Sequence, residues 1–99
     1  MLNQVVLVGR LVEDPKLNET EDKEKRGIIT LAIPRSYKNA EGGYDTDFIK
    51  CFLWNGVAEN TKEYCHKGDI VGVKGRLEDK NIVIAEKLTF LSSKKKEEE

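Results

Sequence analysis

The sequence predicts a small all-β barrel of five strands, with one short helix between strands 3 and 4. Three observations carry that expectation. Runs of β-branched and aromatic residues recur along the chain and are separated by turn residues. After Trp54 the apolar period changes from that of a strand to that of a helix. The length, 99 residues, is enough for a single core without metal or disulfide support.

Taken in order, Gln4 to Val12 is a β-branched run with a central glycine. Gly9 predicts a bulge or sharp bend of the kind that curls a sheet, and Asp14-Pro15 ends the run. Asn18 to Arg26 is almost wholly charged and polar and is expected as an exposed loop. Ile28 to Ile33 resumes the strand pattern until Pro34, with Arg35 to Lys38 expected to continue extended. Asn39-Ala40-Glu41-Gly42-Gly43 reads as a turn, and Asp47 to Trp54 as the third strand. Val57, Ala58, Thr61, Tyr64 and Cys65 then make a helical stripe. Asn55 stands where it can cap that helix, Gly68 where a left-handed stop belongs, and His66 and Lys67 fall in the last turn. Ile70 to Leu77 is a strand punctuated by Gly72 and Gly75, Glu78 to Asn81 a tight hairpin, and Ile82 to Leu91 the last strand. Tyr64 and Phe90 read as core. Residues 1–91 form the domain, and 92–99 are expected as a flexible charged tail. Three strands, a helix and two strands match the five-stranded Greek-key barrel called the OB-fold, although a β-meander with a packed helix uses the same string.

The third strand carries the functional signal. Its alternation puts Phe48, Lys50, Phe52 and Trp54 on one face and Ile49, Cys51 and Leu53 on the other. The second face is a core stripe. The first should be polar in a strand buried on one side, yet it holds three aromatics around a cation. Rings for bases and a cation for phosphate are what a single-stranded nucleic acid requires. The competing reading is a strand buried on both faces, with Lys50 reaching out past its neighbours.

Composition narrows the classes. The formal net charge is −1, so no bulk basic field attracts a polyanion and any nucleic-acid surface must be local. The two cysteines, Cys51 and Cys65, have no CxxC spacing and share the chain with a single histidine. They predict buried free thiols and a reducing cytosol rather than zinc or disulfides. Met1 is followed by a strand pattern, which predicts no signal peptide, and no apolar stretch approaches a membrane span. There is no nucleophile–base pair, metal-spaced cluster or phosphate-binding glycine loop, so neither an enzyme nor a cofactor is expected.

Met1-Leu2-Asn3-Gln4-Val5-Val6-Leu7-Val8-Gly9-Arg10-Leu11 with Asp14-Pro15 resembles the first strand of the bacterial single-stranded DNA-binding protein family. So do Leu31-Ala32 leading to Tyr37, Asp47-Phe48-Ile49 leading to Trp54, and Ala58-Glu59-Asn60. Tyr64 with Lys67-Gly68, and Val71-Gly72-Val73 with Gly75-Arg76-Leu77, continue the likeness, which covers roughly residues 1–91, the family's N-terminal OB domain in a short form. The resemblance implies binding of single strands on sheet aromatics, with Tyr37, Phe48 and Trp54 at stacking positions and Lys50 at a basic one. Gln4 to Val8, uncharged and apolar on both faces, predicts a homo-oligomer paired first through the N-terminal strand, and the resemblance implies that two such dimers associate, a tetramer before a dimer. The chain departs from the family in its short hairpin at Glu78 to Asn81, and it does not end in the acidic, Pro-Phe-terminated tail.

The reading is therefore a cytoplasmic OB-fold, encoded by a bacterium, a phage or a mobile element, that binds single-stranded DNA in replication, recombination and repair. Single-stranded RNA stays open, because stacking does not read the 2′-OH. Candidate binding residues are Tyr37, Phe48, Lys50, Trp54, Phe52, Arg10, Arg35, Lys74 and Arg76. Phe52 serves packing beside the groove equally well, and any one of the cations taken alone is more often a solvated charge. The alternative is an OB-fold assembly subunit of a primosome-like complex, acting mainly through protein contacts.

Overall fold

The computed structural model describes residues 1–19 and 24–93. In chain order these form β1 (Val5–Leu11), β2 (Lys16–Glu19), β3 (Lys25–Pro34), β4 (Thr46–Trp54), α1 (Asn55–Tyr64), β5 (Ile70–Glu78) and β6 (Ile82–Ser92). A three-residue turn at Asp79–Asn81 joins the last two strands.

Closure depends on β1. Val5 to Arg10 pair antiparallel with Gly75 to Ile70 of β5, while Arg10 and Leu11 pair with Ala32 and Leu31 of β3. The remaining contacts run β5–β6, β4–β6 (parallel) and β3–β4, so β1, β5, β6, β4 and β3 form a closed ring. The helix falls between the third and fourth strands of that ring, which is the predicted OB-fold. Two glycines permit the close approaches. A Cβ on Gly9 would lie 2.7 Å from Ile33 Cγ1 and 3.0 Å from the Ala32 carbonyl oxygen, where β1 swings from β5 onto β3. A Cβ on Gly75 would lie 2.0 Å from the Ile84 carbonyl oxygen, at a register shift in the β5–β6 ladder. Any larger residue would force the strands apart at either point.

The barrel interior is apolar. Leu11, Ile29, Leu31, Cys51, Leu53 and Val73 are essentially fully buried, as strand alternation requires. Helix α1 covers one end, with Ala58 and Thr61 buried and Cys65, just past the helix, buried with them. The Thr61 hydroxyl donates to the Val57 carbonyl at 2.7 Å, so its burial leaves no polar group unpaired.

Several sequence expectations change. The segment from Asn18 to Arg26 is not all loop: β2 pairs with the first residues of β3, and β3 begins at Lys25. Pairing with a neighbour overrides the poor intrinsic preference of these charged residues for strands. Residues 20–23 and the tail at 94–99 lie outside the described residues. Strand β3 ends at Pro34, and Arg35 to Lys38 do not extend it. Asn55 does not cap α1. Its backbone takes a positive φ of 45°, and its Oδ1 accepts the Lys25 backbone N–H at 3.1 Å. Gly68 does take a positive φ, yet it sits beyond the helix with His66 and Lys67, in a turn closed by the His66 N–H donating to Asp69 Oδ2 at 2.8 Å. Tyr64 and Phe90 are not core: they are exposed and line a groove between α1 and β6, because the small Ala58 and Thr61 make the buried contact instead.

Candidate nucleic-acid interface

The outer face of β4 presents Phe48, Lys50, Phe52 and Trp54 in one line. Successive members stand about 7 Å apart at the rise of a β-strand, so the stripe runs about 20 Å. Phe48 is 67% exposed, Lys50 is exposed, and Phe52 and Trp54 are half-buried, while Cys51 and Leu53 behind them are buried. A strand buried on both faces is thereby excluded.

Cross-strand register sets the neighbours. Phe48 faces Ala32, which in turn faces Arg10 of β1, so a small residue separates the ring from that cation. Lys50 faces Thr30. Phe52 lies between Ile28 of β3 and Ile84 of β6, and Ile84 faces Arg76 of β5. This apolar flanking accounts for the partial burial of Phe52. Trp54 faces Arg26, whose guanidinium carbon lies 4.6 Å from the centroid of the indole.

The cations differ in what they already hold. Arg35 donates to both Asp47 oxygens, at 3.0 and 3.1 Å, and its Nη1 reaches Asp45 at 3.8 Å and the Tyr37 hydroxyl at 3.4 Å. The hydrogen bonds to Asp47 and its charge, and then the Tyr37 hydroxyl, raise the Arg35 pKa, and the hydrogen bond from Arg35 holds the Asp47 carboxyl below its ordinary value. Arg35 is thus the anchor of the Tyr37 loop. Asn39 organises the rest of that loop, its Oδ1 accepting the N–H groups of Glu41 and Gly43 at 2.9 and 3.0 Å. Arg76 pairs with Glu78, and Arg10 Nη1 donates to the Gly68 carbonyl at 2.8 Å. Lys50 has no acidic partner among the described residues. Lys74 lies in a row with Val6 and Lys87 that contains none of the rings.

Sequence reasoning missed two residues. Tyr44 is 57% exposed on the same loop as Tyr37, itself 63% exposed. Arg26 falls in the charged stretch expected as a loop, although it shares the parity of Ile28, Thr30 and Ala32, a signal that extends the strand backward. Among the described residues, no cluster of His, Cys, Asp or Glu is arranged to hold a metal, and no helix is long and apolar enough to cross a membrane. The thiols are buried, and burial pushes Cys51 up to about 11.

The family model of the single-strand binding protein family matches residues 2–89. The chain belongs to that family. Among its relatives, single-stranded DNA-binding protein B of Bacillus subtilis is 48% identical over 82% of this chain and 72% of its own length. Single-stranded DNA-binding protein 1 of Lactococcus lactis is 43% identical over 82% of the chain and 54% of its own length. Single-stranded DNA-binding protein 2 of Staphylococcus aureus is 40% identical over 95% and 75% respectively. The chain therefore spans between about half and three quarters of these relatives. The crystal structure of a deletion mutant of the single-stranded DNA binding protein from Thermus aquaticus superposes with a TM-score of 0.77, covering 94% of this chain and 52% of that one at 24% identity. That likeness confirms the barrel. Membership in the single-strand binding protein family favours strand binding over the primosome-like assembly subunit.

Proposed function

We propose that this chain binds single-stranded DNA without sequence preference, as a binding protein rather than an enzyme, in cytoplasmic replication, recombination and repair. Bases stack on Trp54, Phe48 and Tyr37, each stack contributing on the order of 1–3 kcal/mol. The observation that carries this reading is the exposure of Phe48 beside Lys50, on the face shared with Trp54. A monomeric barrel gains nothing by leaving that ring in water. Phosphates fall to Lys50 first, with Arg10 and Arg76 flanking the stripe and Lys74 a row farther away. Arg35 acts through Tyr37 by fixing its loop. Phe52 supports the stripe from its apolar row.

The active form is a homo-oligomer, tetramer before dimer, joined through β1. Beyond Arg10 and Leu11 the second edge of β1 has no partner strand among the described residues, and Val6 and Val8 on its outer face are 68% and 53% exposed. Several barrels on one strand raise avidity without new contacts.

Trp54 is the chain's single tryptophan, so its emission reports directly on the site. Titration with oligo-dT at low and high salt should quench it, more weakly as salt rises, and duplex should compete poorly because its bases are already stacked. An unchanged signal at micromolar oligo-dT in low salt would refute the reading. An oligo-rU titration decides whether RNA binds as well.

A further inference from the structure

Arg26 covers the ring on which a base is expected to stack. Its guanidinium carbon lies 4.6 Å from the Trp54 centroid, and the two residues are direct cross-strand partners. The backbone around the pair is fixed. Lys25 donates its N–H to Asn55 Oδ1, and its Nζ meets Glu59 at 3.1 Å. Asn55 directly follows Trp54, so the ties from Lys25 close one side of the pair and the ladder partners Gly27 and Leu53 the other. Arg26 has no carboxylate partner among the described residues, so the ring is its principal contact. A guanidinium is planar and weakly hydrated, and it stacks on aromatic faces much as a nucleobase does.

We propose that Arg26 and a nucleobase compete for the face of Trp54. In the free protein the guanidinium occupies the stacking slot. On strand binding a base takes its place, and Arg26 turns outward onto a neighbouring phosphate. The proposal rests on the reading of Trp54 as a stacking ring. An exposed cation–π contact holds its place by about 2–5-fold, whereas a base on an aromatic ring is worth about 5–150-fold, so the base displaces the cation. The displaced charge then contributes to binding only while phosphate contacts are strong, that is, at low salt.

Removing Arg26 therefore has opposite effects at the two ends of the salt range. Arg26→Ala loses a phosphate contact but opens the ring. It should bind oligo-dT more weakly than the parent at low salt and about 2–5-fold more tightly at high salt. Its plot of log affinity against log salt should be shallower by about 0.7, the contribution of one phosphate on a single strand. Arg26→Lys keeps the charge without the planar group, and should retain the parental slope. Arg26 is exposed, so both variants should fold, which urea denaturation checks. The experiment is Trp54 emission titrated with oligo-dT for the three proteins across a salt series. Crossing lines support the exchange. If the parent is quenched normally but the Arg26→Ala line runs parallel to it or below it at every salt, Arg26 does not exchange and the proposal is overturned, with the stacking reading intact. If oligo-dT leaves the parent's emission unchanged, the stacking reading fails and takes this proposal with it.

Discussion

Trp54 is half-buried and Cys51 fully buried, although three residues apart on one strand, and that difference separates binding from stability. Trp54→Ala removes a stacking ring worth about 1–3 kcal/mol, so affinity for oligo-dT should fall about tenfold or more. Complete truncation of a buried Trp costs about 3–5 kcal/mol, and loss of the partly exposed Trp54 ring should cost less than that in urea denaturation. Unfolding of the variant would mean that the ring is core. Cys51→Ser should do the reverse, placing a hydroxyl in an apolar interior at a cost of about 1–3 kcal/mol while leaving oligo-dT affinity unchanged. Tyr37 depends instead on an ion pair. Because Arg35 lowers the Asp47 pKa beneath its ordinary 3.8, the pair's contribution is complete above that value and is lost as pH falls through the lower native one. Hydrogen exchange in the loop from Arg35 to Asp45 should accelerate below about pH 4, and Asp47→Asn should erase that dependence. The same variant releases a guanidinium, and its salt slope with oligo-dT should steepen by up to about 0.7 if Arg35 then reaches a phosphate.

The short connection between β5 and β6 is under local strain. Lys80 and Asn81 have φ of 64° and 61°, the positive values that suit the twist of a tight hairpin. Asn tolerates that region, whereas Lys pays about 1 kcal/mol for it, so Lys80→Gly should raise the urea midpoint by an equivalent of about 0.5–1 kcal/mol. No change would mean that the turn relaxes freely. The hairpin also illustrates which parts of the fold were legible in the residues. Glu78 to Asn81 could be read because turn chemistry is local, and β4 because its aromatic and apolar run from Phe48 to Trp54 reads as a strand whichever of its faces is buried. Strand β2 could not be read. Its residues Lys16 to Glu19 are poor strand formers, and they extend because β3 offers a free edge, which is a tertiary fact. The end of α1 was misplaced for a related reason. Gly68 carries the left-handed backbone that marks a helix stop, but here the backbone serves a turn that Asp69 closes through its side chain. At the interface, Phe48, Lys50 and Trp54 were legible because one strand carries them all. Arg26 was not, because its role exists only once β3 and β4 are in register.

Whole-molecule behaviour turns on the unpaired part of β1. Val5 to Gly9 bond to β5 on one side, and on the other, among the described residues, only Arg10 and Leu11 pair, with β3. The exposed Val6 and Val8 side chains make that edge both apolar and short of backbone partners. Native monomers protect such edges with charge, proline or a bulge, and none of these lies between Val5 and Val8. Antiparallel pairing with a two-fold copy would satisfy the free N–H and C=O groups and shelter the valines, giving an isologous dimer. A tetramer then requires a second surface. The compact β5–β6 turn offers little chain for one, so the dimer is the firmer step and the tetramer the more demanding. Light scattering at tens of micromolar should give a mass of about four times the 11.3 kDa chain. A mass near twice that of the chain would leave the β1 dimer standing without the second level, and a mass near 11.3 kDa would refute both. Val6→Pro tests the same edge from within the sequence. Proline donates no hydrogen bond and fixes φ, so the variant should shift any oligomer toward monomer, or unfold by disrupting the β5 ladder as well. Val6→Lys keeps the backbone donor and places a charge on the outer face. It should therefore fold as the parent does, with an unchanged urea midpoint at low concentration, and lose the oligomer alone.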